Sequence, residues 1–392
     1  MANASRGINF VAHSDQGGRS DGVQVMVHRG YAYIGHNFSG GFTVLDVRDP
    51  KNPKHAAFIP APENTRCLHL QTHENLLLVV NGLDPLKPSE ARESGNFAAG
   101  LRIFDISQPA QPKEIGFMPV EGTGIHRIWY VGGQYAYVSA NVDGYTDTIL
   151  IVVDVSDPTR PAEVSRWWLP GMWNAGGEEP SWEGNRRFAL HHAIVADGIA
   201  FASWRDGGLT LLDVSDPTSP SLLAHRNWSP PFGGGTHTAV PLLDRGLCIV
   251  LDEAMGDECA DQVKYTWVVD VREPSNPVNI ATMPIPNEDD YCKKGGRFGP
   301  HNAHENRPGS FQSSEIVFAT YQNAGVRVFN IADPFHPREV AYYVPPAPER
   351  MVDPRPGRLQ VIQSADVFVT SNGLMYLTDT NAGLYILEYK GE

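Results

Sequence analysis

The sequence predicts an all-β protein: a seven-bladed β-propeller of four-stranded antiparallel blades, forming a single domain over residues 1–392. A short motif centred on Asp-Val recurs at intervals of roughly 50–60 residues, which is a propeller-blade period with insertions. The chain between the copies reads as short β-rich runs separated by turns, and glycine (38 residues) and proline (31 residues) are plentiful.

Each copy of the motif ends a strand-like run in a turn that contains proline. Proline suits this place because it cannot donate to a β ladder and because its ring presets φ. A degenerate copy, LYILE at 384–388, closes the chain. The full copies are LDVRDP (45–50), FDISQP (104–109), VDVSDP (153–158), LDVSDP (212–217), VDVREP (269–274) and FNIADP (329–334).

The first blade shows the predicted unit, four short strands joined by turns, at 23–28, 31–36, 42–47 and 56–59. The last blade, residues 363–388, offers only three strands. We expect residues 8–12 to supply its fourth, outer strand. The N-terminus then closes the ring, which leaves no free sheet edge.

The run Ile151-Val152-Val153-Asp154-Val155 resembles the LVIVD repeat, and similar runs extend this resemblance over nearly the whole chain. The resemblance implies a propeller and is almost silent on chemistry, since the repeat residues are structural. A looser, architectural likeness is to propellers with a histidine-centred metal, such as the selenium-binding protein/methanethiol oxidase family and the carotenoid oxygenases. We carry no residue over from them.

Composition excludes several classes of function. A net charge of −14 argues against a nucleic-acid partner, and no stretch reaches the roughly 18 apolar residues that span a bilayer. The first residues lack the apolar core of a signal peptide, so we expect a cytoplasmic protein without a membrane partner. Four cysteines show no C-x-x-C spacing; whether Cys259 and Cys292 approach each other is left open, as is the oligomeric state.

Histidines recur at one level of the predicted innermost strands, which converge on the propeller axis. Neutral imidazole is the commonest metal ligand, so the pattern predicts a divalent transition metal, with Fe or Cu favoured and Mn or Zn as alternatives. The ring is too large for all five histidines to bind one ion. The aligned positions are Gln24, His69, His126, His192, His237, His301 and Gln363.

The alternative is a wet channel whose histidines bond to one another or to water. The neighbouring His191 is expected on the other face of its strand, in a structural role. His304 and Glu305 do not form the helical H-E-x-x-H pattern and receive little weight as ligands.

The ends of the second strands lie on the same face as the predicted ring. Asp252, Glu253 and Asp379 are candidates for proton acceptors or for partners of imidazole N–H groups, Arg205 for binding a substrate carboxylate, and Tyr321 for donating a proton. Insertions gather on this face too. They include 168–188, which is rich in tryptophan and is expected to form an aromatic wall or lid.

Three classes of function remain. The first is a metalloenzyme performing redox or oxygen chemistry on a small organic substrate, aromatic or carboxylate-bearing. The second is a redox-neutral lyase or hydrolase that uses Zn or Mn as a Lewis acid. The third is a binding or scaffold propeller without chemistry, against which the histidines weigh. Architectural analogy alone favours the first.

Overall fold

The structure, a computed structural model, describes residues 4–87 and 93–391. It is all-β, with antiparallel sheets in a propeller-like arrangement. The short 3-10 helices are Asn174–Gly176, Leu243–Arg245 and Tyr291–Lys293. In the described residues, no helix is long and apolar enough to cross a membrane.

Three of the sheets have four strands each. In the first, the strands pair in chain order; in the other two, an N-terminal strand pairs with the last strand of the group. The first sheet holds β3 (Gly22–His28), β4 (Tyr31–His36), β5 (Gly41–Asp46) and β6 (Lys54–Pro60). The second holds β1 (Ala4–Arg6), β24 (Ile316–Thr320), β25 (Val326–Asn330) and β26 (Arg338–Val344). The third holds β2 (Ile8–Ser14), β27 (Ser364–Val369), β28 (Leu374–Asp379) and β29 (Gly383–Tyr389).

Two larger sheets each consist of two runs of consecutive antiparallel strands. The nine-stranded sheet holds β7 (Thr65–Arg66), β8 (Leu70–His73), β9 (Leu76–Leu83), β10 (Gly100–Asp105), β11 (Lys113–Pro119), β12 (Gly122–Trp129), β13 (Tyr135–Val142), β14 (Thr148–Asp154) and β15 (Ala162–Trp167). The eight-stranded sheet holds β16 (Phe188–Ala196), β17 (Ile199–Arg205), β18 (Leu209–Asp213), β19 (Ser221–Arg226), β20 (Thr236–Leu242), β21 (Leu247–Asp252), β22 (Thr266–Asp270) and β23 (Val278–Thr282).

The two runs within each larger sheet are joined by a single residue pair, Gly82 with Gly124 and Arg205 with Thr236. Both joints lie near the beginning of the first strand of the second run, at Gly124 of β12 and at Thr236 of β20. The count of seven blades and the single domain stay predictions.

The N-terminus closes the last sheet as predicted. Strand β2 pairs antiparallel with β29, from Ile8 opposite Tyr389 to Ser14 opposite Leu384. The sequence did not predict β1, which pairs with β26 of the preceding sheet. Gly7 lies between β1 and β2 at φ +67°, and a Cβ there would lie 2.9 Å from the Cβ of Ala341. The first residues therefore bridge two sheets.

The repeat motif marks the ends of β5, β10, β14, β18, β22 and β25 and the turns after them. Strand β14 is buried from Thr148 to Val153, because sheets packed against both of its faces exclude water. The motif aspartate then ends the strand, as its carboxylate accepts a backbone N–H two residues on. Asp105 accepts from Ser107 at 2.7 Å, and the equivalent bonds recur in other copies. The recurring residues are thus structural.

We expect the turns of the repeat to be functionally inert. Thr159 and Thr218 each cap an exposed turn by bonding to Asp157 or Asp216. These turns follow the far ends of the third strands, roughly 20 Å from the ends where the histidines lie. Replacing either threonine with alanine should leave metal content and ligand binding unchanged, as elemental analysis and calorimetry would show. A large loss of metal or of ligand binding in a variant that still folds would contradict the view that these turns lie away from the functional site.

Candidate metal centre

The inner strands carry irregularities at one level. In β12 the pairing with β13 shifts between Ile125 and Arg127, and in β20 the pairing with β21 shifts between Thr236 and Thr238. A bulge takes its extra residue out of the regular ladder and re-aims the side chain. The extra residues here are His126 and His237, and both line the central cavity.

A larger irregularity in β16 corrects one predicted site residue. The pairing with β17 shifts between Phe188 and His192, so strict alternation does not hold along this strand. His191 therefore lines the cavity, whereas His192 is buried with its ring 6.3 Å from that of Trp129. The sequence prediction placed His192 on the axial side instead of His191, because the bulge carries no sequence signal. Which histidines bind a metal stays a prediction.

Five imidazole rings form a continuous series, which we call the histidine arc: His69, His126, His191, His237 and His301. Successive ring centroids lie 5.0, 4.8, 3.5 and 4.5 Å apart along the series. Four of the five members were predicted, and the fifth replaces His192.

Backbone carbonyls fix the tautomer of three members of the arc. The Nδ1 atoms of His69, His191 and His301 lie 2.5–2.8 Å from carbonyl oxygens of the next inner strand. A carbonyl oxygen only accepts, so each Nδ1 carries the hydrogen and a neutral ring keeps its lone pair on Nε2. Nitrogen ligands of metals in proteins are commonly oriented in this way.

The arc is held neutral. Burial, reinforced by the charges of nearby groups, lowers the pKa of His69, His126, His191 and His237 well below the ordinary value of 6.5. Burial also lowers the pKa of His301, although the charge of Glu253 opposes it. The metal-binding form of these rings therefore persists to lower pH than in a free imidazole.

Glu253 lies beside one end of the arc, just after β21. Its carboxylate is 3.4 Å from Nε2 of His237 and 3.6 Å from Nε2 of His301. It also accepts a hydrogen bond from Arg205 and lies 3.5 Å from a nitrogen of Arg297. Burial raises the pKa of Glu253, but Arg205, His301 and Arg297 outweigh it and bring the pKa to about 2. The carboxylate is therefore ionised at every physiological pH.

The arc faces a cavity of about 650 Å³. Although the chain has a net charge of −14, more cationic than anionic side chains line this cavity. The arginines are Arg66, Arg187, Arg205, Arg297, Arg355 and Arg358, and the carboxylates are Glu253, Asp257, Glu258 and Asp353. A positive cavity in an acidic protein favours an anionic ligand.

Three predicted catalytic residues lie outside the cavity lining. Asp252 accepts hydrogen bonds from Trp228 and Trp267, at 2.9 and 2.6 Å. Tyr321 is buried with its hydroxyl 3.3 Å from that of Thr266. Asp252 and Tyr321 are therefore hydrogen-bonded to buried residues of the sheets and do not face the cavity.

Asp379 is the third, and it holds the turn between β28 and β29. One carboxylate oxygen accepts the backbone N–H groups of Asn381 and Ala382, at 2.9 and 3.0 Å. Burial raises the pKa of this carboxyl to about 6, although these donors lower it.

We expect Asp379→Asn to remove part of the pH dependence of stability. The folded pKa of about 6 lies above the unfolded value, so the stabilising contribution is present below about pH 4 and lost as pH rises through about 6. Asparagine keeps the accepting oxygen and does not ionise. The free energy of unfolding of the variant should therefore exceed that of the wild type at pH 8 by on the order of 2–3 kcal/mol, but not at pH 4. Urea titrations at pH 4 and pH 8 measure this difference. The same change in the free energy of unfolding between the two pH values in both proteins would contradict it.

The loops contribute differently from the prediction. From 168–188 only Arg187 lines the cavity. Loop 345–358 supplies Met351, Asp353, Arg355, Gly357 and Arg358. The tryptophans of that segment pack with one another and with other aromatic rings, for instance Trp168 with Trp173. The cavity wall is therefore lined by arginines and not by the predicted tryptophans.

A disulfide joins Cys259 and Cys292, whose proximity the sequence left open. It ties together two of the loops that line the cavity mouth, 254–264 and 284–299. Disulfides are typical of oxidising compartments. The cytoplasmic location therefore stays a prediction.

A buried polar cluster underlies the arc, and sequence reasoning missed its centre. Glu305 accepts hydrogen bonds from Gln24, Gln71 and Arg127, at 3.1, 2.9 and 3.0 Å. Arg307 reaches the same cluster and donates to the carbonyl of Thr72 at 2.6 Å. This network joins the first inner strands to the segment after His301, so it fixes one side of the arc.

Comparisons with known proteins agree with the fold. The LVIVD repeat model matches residues 18–56, 94–118, 127–167 and 195–226. No protein of curated function matches the chain in sequence.

Several solved structures are similar in fold at low sequence identity. A hypothetical selenium-binding protein from Sulfolobus tokodaii is 13% identical, with a TM-score of 0.57, over 93% of this chain and 91% of that one. The periplasmic gluconolactonase of Pseudomonas aeruginosa is 13% identical, with a TM-score of 0.57, over 90% and 93%. A functionally unknown protein from Desulfotomaculum acetoxidans is 12% identical, with a TM-score of 0.52, over 82% and 84%. The chain is thus a β-propeller-like protein that carries LVIVD repeats.

Proposed function

We propose that the protein is a metal-dependent enzyme that acts on a small organic substrate bound in the central cavity. In this proposal the sheets form seven blades and the histidine arc lies near their common axis. The observation that carries the proposal is the set of three Nδ1–H to carbonyl hydrogen bonds in the arc. They leave an unshared electron pair on each of these Nε2 atoms, so that each can act as a metal ligand. Clustering such rings has no packing benefit of its own.

His237, His301 and Glu253 are the residues best placed to hold the ion. One ligand atom from each lies within 4.8 Å of the others. Nε2 of His237 lies 3.4 Å from Oε2 of Glu253, and Nε2 of His301 lies 3.6 Å from Oε1 of the same carboxylate. Each separation is close to the roughly 3.4 Å between two ligand atoms at bonds of about 2.1 Å in a tetrahedral site. Two imidazoles and one carboxylate suit a divalent transition metal, so the donor set fits.

The remaining residues have distinct roles in this proposal. Arg205 and Arg297 hold the Glu253 carboxylate ionised and oriented toward the two imidazoles. His69, His126 and His191 continue the arc along the cavity wall, where their neutral rings can accept a hydrogen bond from substrate. A bound metal would supply a Lewis acid or, for Fe or Cu, a redox centre.

Redox or oxygen chemistry with Fe or Cu is the first choice, because nitrogen ligands predominate in the arc and two histidines with one carboxylate are typical of non-haem iron. A redox-neutral lyase or hydrolase using Zn or Mn is the second candidate. One observation favours it: the carboxylate of Glu253 adds a hard oxygen ligand at the place where two imidazoles meet.

Titration of metal-free protein tests the proposal. Untagged protein stripped with a chelator would be titrated with Cu²⁺, Fe²⁺ (anaerobically), Mn²⁺ and Zn²⁺ in a calorimeter, with spectra recorded in parallel. We expect one ion per chain, bound at least tenfold more weakly by Glu253→Gln. His225→Gln is the control, since His225 is exposed and its side chain bonds only to the carbonyl of Gly207 among the described residues. Absence of stoichiometric binding by all four ions would leave the binding or scaffold class in its place.

A further inference from the structure

A side pocket of about 160 Å³ opens beside the histidine arc. It lies between β9 and the strands β12 and β13, and it shares Arg66, His126 and Arg187 with the main cavity. A ligand in the main cavity can therefore extend one group into this pocket while its remainder lies against the arc.

The charged groups of the side pocket do not balance. Two guanidinium groups, those of Arg66 and Arg187, and one carboxylate, that of Asp147, line it, while His126 is neutral. Arg187 takes the carboxylate of Asp147 through two contacts, at 2.7 and 3.0 Å. Among the described residues that line this pocket, one positive charge is left without a carboxylate.

The unpaired positive charge is that of Arg66, which lies in β7 and lines the side pocket. Among the residues that the structure describes, Arg66 forms no ion pair and donates only to the side-chain oxygen of Asn37, at 2.6 Å. Burial lowers its pKa to about 10, although the charge of Asp84 opposes this, so the group remains cationic at neutral pH. A half-buried cation of this kind is stabilised by an anion that replaces its lost hydration.

Arg205, the residue that the sequence suggested for binding a carboxylate, is already engaged by Glu253. Arg355 and Arg358, which also line the main cavity, are paired with Asp353 and Asp257. Arg297 faces the carboxylate of Glu253 at 3.5 Å, and Arg187 is paired with Asp147. Arg66 is therefore the cavity arginine whose fork is most available to a ligand.

We infer that the side pocket binds a carboxylate group of the substrate, held by Arg66, and that the substrate is a monocarboxylic acid. A single unbalanced positive charge and a small volume match a monoanionic carboxylate better than a dianionic phosphate. This assignment deepens the proposed function by naming the substrate class. The anion site itself needs no metal, so it can be tested separately.

Calorimetry on chelator-treated protein tests the inference, with benzoate as the carboxylate probe, benzamide as its neutral analogue and phenyl phosphate as the dianion. We expect benzoate to bind with a millimolar or lower Kd, and benzamide and phenyl phosphate to bind at least tenfold more weakly. Arg66→Gln should weaken benzoate binding by roughly tenfold or more, and Arg66→Lys, which keeps the charge, by less. Arg160→Gln is the matched control, because Arg160 is exposed and pairs with Asp157 in a repeat turn.

Three results would overturn the inference: no benzoate binding to the wild type, equal binding of benzoate and benzamide, or an Arg66→Gln variant that binds benzoate as the wild type does. Tighter binding of phenyl phosphate than of benzoate would replace the carboxylate by a phosphate. If the wild type binds benzoate but no metal, the proposed function fails and the anion site stands. If metal binds and benzoate does not, the reverse holds.

Discussion

Replacing His301 with glutamine is expected to weaken metal binding by about a hundredfold or more while the protein stays folded. His301 supplies one of the two imidazoles beside Glu253, and its Nδ1 is already oriented by the carbonyl of Ala365. Loss of even an outer-shell partner of a ligand typically costs 10–100-fold in metal affinity, so loss of the ligand itself should cost at least that. Calorimetric titration with the tightest-binding metal measures the effect, and circular dichroism checks the fold.

His192 provides the matched control for this variant. It is a buried histidine adjacent in sequence to a member of the arc, yet its ring lies against Trp129 instead of in the cavity. His192→Gln should therefore bind metal as the wild type does. His191→Gln should weaken binding less than His301→Gln, because His191 is not a ligand but its ring stacks 3.5 Å from that of His237. Equal losses in His192→Gln and His301→Gln would show that the histidines act through the scaffold and not as ligands.

Replacing Glu305 with glutamine is expected to lower the free energy of unfolding by about 3–5 kcal/mol. The change leaves the guanidinium of Arg127 buried without its counter-charge, since Arg127 is fully buried and Glu305 is its ion-pair partner at 3.0 Å. It also places an amide N–H group where Gln24 and Gln71 now donate. Urea denaturation followed by tryptophan fluorescence measures the loss.

The control for Glu305 is a pair of the same chemistry on the surface. Arg160→Gln removes the exposed pair between Arg160 and Asp157, and solvent screening makes such pairs weak. This variant should unfold at the same urea concentration as the wild type within error. An equally small change in Glu305→Gln would contradict the view that the buried cluster supports the arc.

Much of the architecture could be predicted because the repeat motif recurs in recognisable form along the sequence. The Asp-Pro turns follow from local hydrogen bonds of aspartate, as at Asp105, and the apolar runs follow from burial on both faces, as in β14. The pairing of β2 with β29 was predictable because the last blade lacked a strand. Strand β1 was not, since three residues give too short a pattern.

The histidines of the candidate site could be predicted where the inner strand is regular, or where the bulged residue is itself the histidine that aligns with those of the other blades. His126 and His237 were found in this way, whereas the irregularity before His192 exchanged it with His191. Glu305 was discounted because the sequence search looked for a helical motif, and its role depends on residues from three distant strands. The sequence could not single out Arg66, because its availability depends on which charged side chains lie near it in the fold.

Elemental analysis of native, untagged protein tests the central claim most directly. The protein would be purified without a metal-affinity step, dialysed against metal-free buffer and analysed for Fe, Cu, Mn and Zn by mass spectrometry, with His301→Gln prepared in parallel. The account predicts close to one transition-metal ion per chain in the wild type and much less in the variant. A wild-type protein that is folded and holds no stoichiometric metal, even after reconstitution with each of the four ions, would contradict it.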